Sequence, residues 1–161
     1  TLANRGIPVR PRLLLSKEDS LSGEIIPSNV SSQPAKPATE ASLDQVIQSM
    51  TAVMHSPRGT ARASGRRSPY QIAGKTGTAQ VIGIAQDAEY DESVIPEKFH
   101  DHALFIAFAP VDNPQIAIAV VVENGGSGAK VAAPIARKIM DRFFQKKLQR
   151  AAAPSKHHVF G

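Results

Sequence analysis

From Ser42 onward the apolar residues Leu43, Val46, Ile47, Met50, Val53 and Met54 recur at helical spacing, which predicts an amphipathic helix ending near His55-Ser56-Pro57-Arg58-Gly59. The two methionines in that stripe read as core filler. The next stretch, "YQIAGKTGTAQVIG" (residues 70–83), is rich in Thr, Val and Ile with glycines and predicts a strand. "HALFIAFAP" (102–110) and "QIAIAVVVE" (115–123) are strand-length apolar runs joined by the turn Val111-Asp112-Asn113-Pro114, so an antiparallel hairpin is expected. Neither run alternates with polar residues, so both faces of the sheet should be covered, with helices on two sides. A last helix is expected from about Pro134, a residue suited to the first helical position. It would carry Ile135, Ile139, Met140, Phe143 and Phe144 on one side toward the sheet. The fold class is therefore α/β in the α+β sense: an antiparallel sheet flanked by helices.

Between these elements the chain turns polar. "VRPRLL" (9–14) reads as a short extended piece, and residues 16–39, rich in Ser, Pro and Lys, as a surface loop. "QDAEYDESVIPEKFHD" (86–101) reads as an acidic loop too polar to be buried, and residues 149–161 as a disordered tail after the ordered part, residues 1–148. "LANRG" (2–6) looks like the last turn of a helix stopped by Gly6, which makes Thr1 an expected cut inside a larger protein.

Composition narrows the function. A chain of 161 residues with 42% hydrophobic content suits one soluble globular domain with a real core. No run approaches the ~18 apolar residues of a membrane span. Zero cysteines exclude disulfides and thiolate metal sites. The net charge of +5 comes mostly from the two ends and from Arg58, Arg62, Arg66 and Arg67. With 5% aromatic residues and no known recognition module, nucleic acid is not an expected partner, while attraction to an anionic surface stays open.

Gly74-Lys75-Thr76 has the look of the end of a phosphate loop, but the spacing fails: the glycine needed five places earlier is Pro69. The residues after Thr76 also read as a strand, where a phosphate loop would open into a helix. On a strand Thr76 and Thr78 point the same way and Lys75 the other, unless a local twist re-aims it. His100 and His102 flank Asp101, and His157-His158 lie in the tail; with no third ligand nearby, no metal site is expected. No paired carboxylates on a common face suggest glycoside chemistry.

Lys75-Thr76-Gly77-Thr78 on a strand, then a hairpin, the Gly-rich turn "ENGGSGAK" and a terminal helix resemble the C-terminal part of a penicillin-binding transpeptidase domain. "IAGKTGTAQV", "DHALFIAFAP", "NPQIAIAVVVENGG" and "IARKIMD" together resemble the elongation-type class B penicillin-binding proteins of Gram-negative bacteria, over about residues 1–145. The resemblance implies a partial transpeptidase fold of the serine β-lactamase kind. It also implies a D,D-transpeptidase acting on stem peptides ending in D-Ala-D-Ala, trapped by β-lactams and needing no cofactor.

By the same resemblance, Thr76 and Thr78 bind the substrate carboxylate and the Thr78 backbone N–H is an oxyanion donor. Gly77 lets the substrate backbone approach, and Lys75 joins the network around the active serine. Taken alone, Lys75 could be an ordinary strand-edge lysine and Gly74 a site of close helix packing. The resemblance further implies a periplasmic location, an upstream membrane anchor and a glycosyltransferase partner in cell-wall elongation.

The family's Ser-x-Asn motif is missing. The sole Ser-x-x-Lys, Ser127-Gly128-Ala129-Lys130, lies downstream of the strand among glycines, so Ser127 reads as a turn or helix-entry residue. This chain is therefore expected to hold a substrate-binding wall without its nucleophile, and not to turn over by itself. The alternatives are a non-catalytic β-lactam-sensing or wall-binding module, a division-type transpeptidase and a serine β-lactamase.

Overall fold

The computed structural model describes residues 1–9, 13–28, 39–81 and 95–152. The chain divides into two compact units, Thr1–Ile47 and Gln48–Gly161.

The first unit opens with a 3-10 turn, Leu2–Asn4, that ends on Arg5 and Gly6, both with positive φ. Arg5 forms an exposed ion pair with Asp44. Where a plain surface loop was expected, two short exposed strands pair antiparallel: β1 (Ser16–Glu18) and β2 (Ile25–Pro27). Their turn is built by Asp19, whose carboxylate accepts from the Ser22 and Leu21 amides, both at 2.9 Å, and from the Ser22 hydroxyl. These bonds add to the turn's own backbone pairs, Gly23 amide to Asp19 carbonyl and Asp19 amide to Glu24 carbonyl, and they hold the Asp19 carboxyl below its usual pKa. Residues 10–12, central to the expected extended piece, and residues 29–38 lie outside the described residues.

Helix α1 (Glu40–His55) begins in the first unit and ends in the second. Thr39 caps it, its hydroxyl accepting from the Ser42 amide at 3.2 Å. The buried stripe is Leu43, Ile47, Met50 and Met54, so the helical spacing and the methionines' role as filler are as expected, while Val46 faces out. A one-turn helix α2 (Arg62–Gly65) comes soon after.

The second unit is built on a three-stranded antiparallel sheet in the order β3 (Ala73–Ala79), β4 (His102–Ala109), β5 (Ile116–Val122). The register pairs Gly74 with Ala107, Thr76 with Phe105 and Thr78 with Ala103. Because strand side chains alternate, Gly74, Thr76 and Thr78 share a face with Phe105, Ile118 and Val120. That face holds the core, with Met54, Ala61, Ala132, Ala136 and Met140 packed over it. The other face differs from expectation. Ile106 is 49% exposed and Val121 61%, so among the described residues the sheet is fully covered on one side only.

Helix α3 (Ala133–Ala152) lies on the core face. Its buried residues are Ala133, Ala136 and Met140, with Phe144 packed beside them, whereas Ile135, Ile139 and Phe143 are exposed. The expected stripe is thus rotated: small alanines let the helix approach the sheet closely, and the larger residues sit on the flank. The helix also runs to Ala152, past the expected boundary at residue 149, and residues 153–161 lie outside the described part.

The end of α1 is tied to the lead-in of β3 by His55, whose Nε2 accepts from the Ile72 amide at 3.0 Å. Protonation would remove that acceptor. Partial burial, and then the Arg137 charge, push the His55 pKa below its ordinary value of 6.5. A depressed histidine pKa contributes stability that is complete above the unfolded value and lost as pH falls below it. Unfolding free energy should therefore drop between about pH 7 and 5 more steeply in the native protein than in His55→Gln. Parallel pH profiles of the two in denaturant titrations would show that His55 is not responsible.

Candidate active site

β3 is an edge strand among the described residues, so alternate amides along it face away from β4. Gly74 is buried because the Phe105 ring tip would lie 2.6 Å, and the Met54 sulfur 3.1 Å, from any Cβ placed there. The close-packing reading of Gly74 thus holds. Two residues on, Thr76 is half-buried, and its hydroxyl lies 3.2 Å from that of Thr60. Thr78, one pleat further along the same face, is exposed. Lys75 is on the opposite face with Gly77, as alternation requires, and its ammonium folds back along the strand to donate to the Thr76 carbonyl at 2.5 Å.

The structure therefore places Thr76 and Thr78 on one face of the edge strand and Lys75 and Gly77 on the other, all four consecutive along it. Thr60 was missed from sequence. Gly59-Thr60-Ala61 belongs to no periodic run, and only the fold reveals that it reaches β3. Its placement comes from the end of α1: the Ala61 amide bonds the Val53 carbonyl and the Gly59 amide bonds the Ser56 carbonyl, both at 3.0 Å.

The turn after β5 supports the same strand. Gly128–Ala132 is a single π-helical turn, which the sequence pattern does not predict, leading into α3 at Ala133. A Cβ on Gly128 would fall 2.4 Å from both the Gly77 and the Leu104 carbonyl oxygens. Ser127 is extended, and its hydroxyl accepts from the Lys130 backbone amide at 3.4 Å. That is the helix-entry role expected of it, and its bond is to the lysine's amide, not to its ammonium.

The histidines near β4 also serve the framework. His102 Nδ1 accepts from the Asn124 amide at 2.9 Å, the His100 ring bonds the Ile95 carbonyl, and the Asn124 side chain donates to the Lys98 and His100 carbonyls. Asp101, expected in an unburied loop, is buried; its carbonyl accepts from Gly126 and its carboxylate from the Val81 amide. The Val81 amide on the carboxylate offsets part of the cost of burying it, and the Gly126 amide ties the backbone at the same residue. Residues 82–94, most of the acidic loop, lie outside the described residues, as do His157 and His158. Among the described residues no group of three or more His, Asp or Glu gathers as a metal site.

Behind the lead-in to β3, the Tyr70 hydroxyl donates to Asp141 at 2.5 Å. Arg137 bonds both Asp141 oxygens and the Ser64 carbonyl. Burial, then the bond to Asp141, raises the Tyr70 pKa, so this hydroxyl remains a donor. A cleft of about 600 Å³ beside this group is lined by Pro69, Tyr70, Pro110, Phe144 and Leu148 and shares no residue with β3.

An antiparallel sheet with Lys-Thr-Gly-Thr on its edge strand and helices on its core face has the architecture of serine acyl-transfer domains. The model of the penicillin binding protein transpeptidase domain matches residues 1–141. The chain belongs to that family. It is 40% identical over 145 residues to the peptidoglycan D,D-transpeptidase MrdA of Salmonella typhimurium, covering 89% of this chain and 23% of the relative. Pseudomonas aeruginosa PBP2, solved with WCK 5153, superimposes with a TM-score of 0.64 at 41% identity, covering 88% of this chain and 27% of that one. Penicillin-binding protein A of Mycobacterium tuberculosis, solved as a ceftriaxone acyl-enzyme, gives a TM-score of 0.65 at 31% identity, covering 87% and 29%. The chain thus spans about a quarter of the length of these relatives.

Because Gly128 rests on the Gly77 backbone, Gly128→Ala should push β3 and the π turn apart and destabilise the fold by about 1–3 kcal/mol. Denaturant unfolding monitored by circular dichroism measures this. An unchanged midpoint would show that the turn can retreat without loading the strand.

Proposed function

We propose that this chain is the substrate-binding wall of a peptidoglycan D,D-transpeptidase of the cell-elongation type, whose nucleophilic serine belongs to a part of the protein outside these residues. The observation that carries the reading is Thr76 and Thr78 on one face of an exposed edge strand, in a Lys-Thr-Gly-Thr sequence, within a chain of this family. The name of the Salmonella relative supports the activity, and the acyl-enzyme captured in the mycobacterial relative supports β-lactam binding.

In this reading a D-Ala-D-Ala stem peptide lies along β3, with its terminal carboxylate accepting from the Thr76 and Thr78 hydroxyls. The external serine oxygen bonds the carbonyl carbon of the penultimate D-alanine, and the charge that develops on the carbonyl oxygen is met by the Thr78 amide. The terminal D-alanine leaves with a proton on its nitrogen. An amine of a neighbouring strand then attacks the ester, forming the cross-link and returning the serine hydroxyl.

A β-lactam takes the first half of this course and stays attached. Gly77, lacking a side chain, leaves the strand approachable. Lys75 adds positive charge, and the exposed Arg58, Arg62, Arg66 and Arg67 on the connection into β3 favour the anion's approach.

The same reading places the intact protein at the periplasmic face of the inner membrane, held by an anchor outside this chain and working with an elongation-complex glycosyltransferase. Among the described residues no helix is long and apolar enough to cross a membrane. Residues 1–148 are assigned to the transpeptidase domain.

Thr78→Val keeps the β-branched shape and removes the hydroxyl. In the full-length protein, acylation by penicillin should slow by about 1 to 3 kcal/mol of barrier, with the melting temperature retained. Unchanged acylation would take the Thr78 hydroxyl out of the mechanism.

A further inference from the structure

We propose that Thr60 is a positioning residue for carboxylate recognition: its hydroxyl donates to Thr76 and so directs the single Thr76 proton at the bound anion. This rests on the transpeptidase reading above and adds to it a residue outside the Lys-Thr-Gly-Thr strand.

The two hydroxyl oxygens are 3.2 Å apart, and either can be the donor. Each hydroxyl has one proton and two lone pairs. Without a ligand the bond can run either way. A carboxylate at Thr76 accepts only, so it fixes the direction: the Thr76 proton goes to the carboxylate, and Thr60 then becomes the donor to Thr76. A donor behind a donor polarises the chain and strengthens the outer bond.

The arrangement also reduces the entropy lost on binding. Ala61 beside Thr60 is buried and bonded to the Val53 carbonyl, and the Gly59 amide is bonded to Ser56. Both neighbours of Thr60 are therefore fixed on the end of α1. A β-branched side chain on a fixed backbone has few rotamers, so Thr60 holds the Thr76 hydroxyl in place before any ligand arrives. A water in its place would lack that fixed position. Thr60 itself is exposed, and in this proposal it acts on the anion through Thr76.

The test uses the full-length protein and benzylpenicillin, with benzylpenicillin methyl ester as the uncharged comparison. Initial binding and acylation are measured separately for Thr60→Val, Thr60→Ser, Thr76→Val and the Thr60→Val/Thr76→Val double variant. Melting temperatures are recorded for each. Thr60→Val should weaken initial binding of the acid by roughly 2- to 10-fold, the range of one net hydrogen bond, and leave the ester unaffected. Thr60→Ser should bind the acid as the native protein does. The double variant should be no weaker than Thr76→Val alone, since Thr60 acts only through Thr76.

Native binding of the acid by Thr60→Val, beside a weakened Thr76→Val, would overturn the proposal, as would equal losses for acid and ester. If Thr60→Val fails to fold, Thr60→Ala is read by the same acid-to-ester ratio, and an unchanged ratio again overturns it. A native protein that neither the acid nor the ester acylates would instead sink the transpeptidase reading itself.

Discussion

The space that a side chain at Gly74 would need is filled by the tip of Phe105 and the sulfur of Met54, and the placement of the site depends on that contact. Phe105 and Met54 are each about 1% exposed, and burying a side chain of this size contributes roughly 1.5–3 kcal/mol. The contact fixes the last turn of α1 against β3. With α1 fixed, the segment bonded to its final carbonyls passes alongside the strand, and Thr60 arrives at Thr76. The same register that turns Gly74 inward turns Thr76 and Thr78 to the same face, where the core thins and the strand runs out into solvent. A larger residue at position 74 would move the helix and hence Thr60.

The strand is also held, further along, by a different device. Gly128 rests on the carbonyls of Gly77 and Leu104, and the π turn it begins carries the chain directly into the alanine stripe of α3. Two glycines thus govern one short strand, Gly74 from the core and Gly128 from the turn, and the segment between them is the one that carries Lys75, Thr76 and Gly77. Preorganised donors cost little reorganisation when charge develops beside them, which is the benefit of building the wall on a paired strand instead of a free loop.

How much of this was legible in the sequence depended on whether the signal was local. The α1 stripe and the alternation of Lys75 against Thr76 and Thr78 come from periods of 3.6 and 2, the β4–β5 hairpin from two apolar runs around a turn, and the structure shows all three. The close packing at Gly74 and the entry role of Ser127 came from residue type in context. The burying face of α3 was misjudged because Ile135, Ile139 and Phe143 carry the greater hydrophobicity, whereas close approach to a sheet selects Ala133 and Ala136. Asp101 was read from the polarity of its neighbours, which says nothing about amides arriving from Gly126 and Val81. The Asp19 turn was masked by a Ser- and Pro-rich composition. Thr60 gave no signal, since its contact lies 16 residues along the chain.

The wall also explains its own insufficiency. Threonine hydroxyls and backbone amides can hold a carboxylate and meet an oxyanion, but neither is a nucleophile until a base takes its proton. The Lys75 ammonium rests on the Thr76 carbonyl instead of a serine hydroxyl, and the hydroxyl of Ser127 is engaged by its own turn. In the transpeptidase reading the nucleophile is brought to this strand by residues on another segment. A paired edge strand suits that division of labour, because its register fixes Thr76 and Thr78 on one face whatever segment supplies the nucleophile.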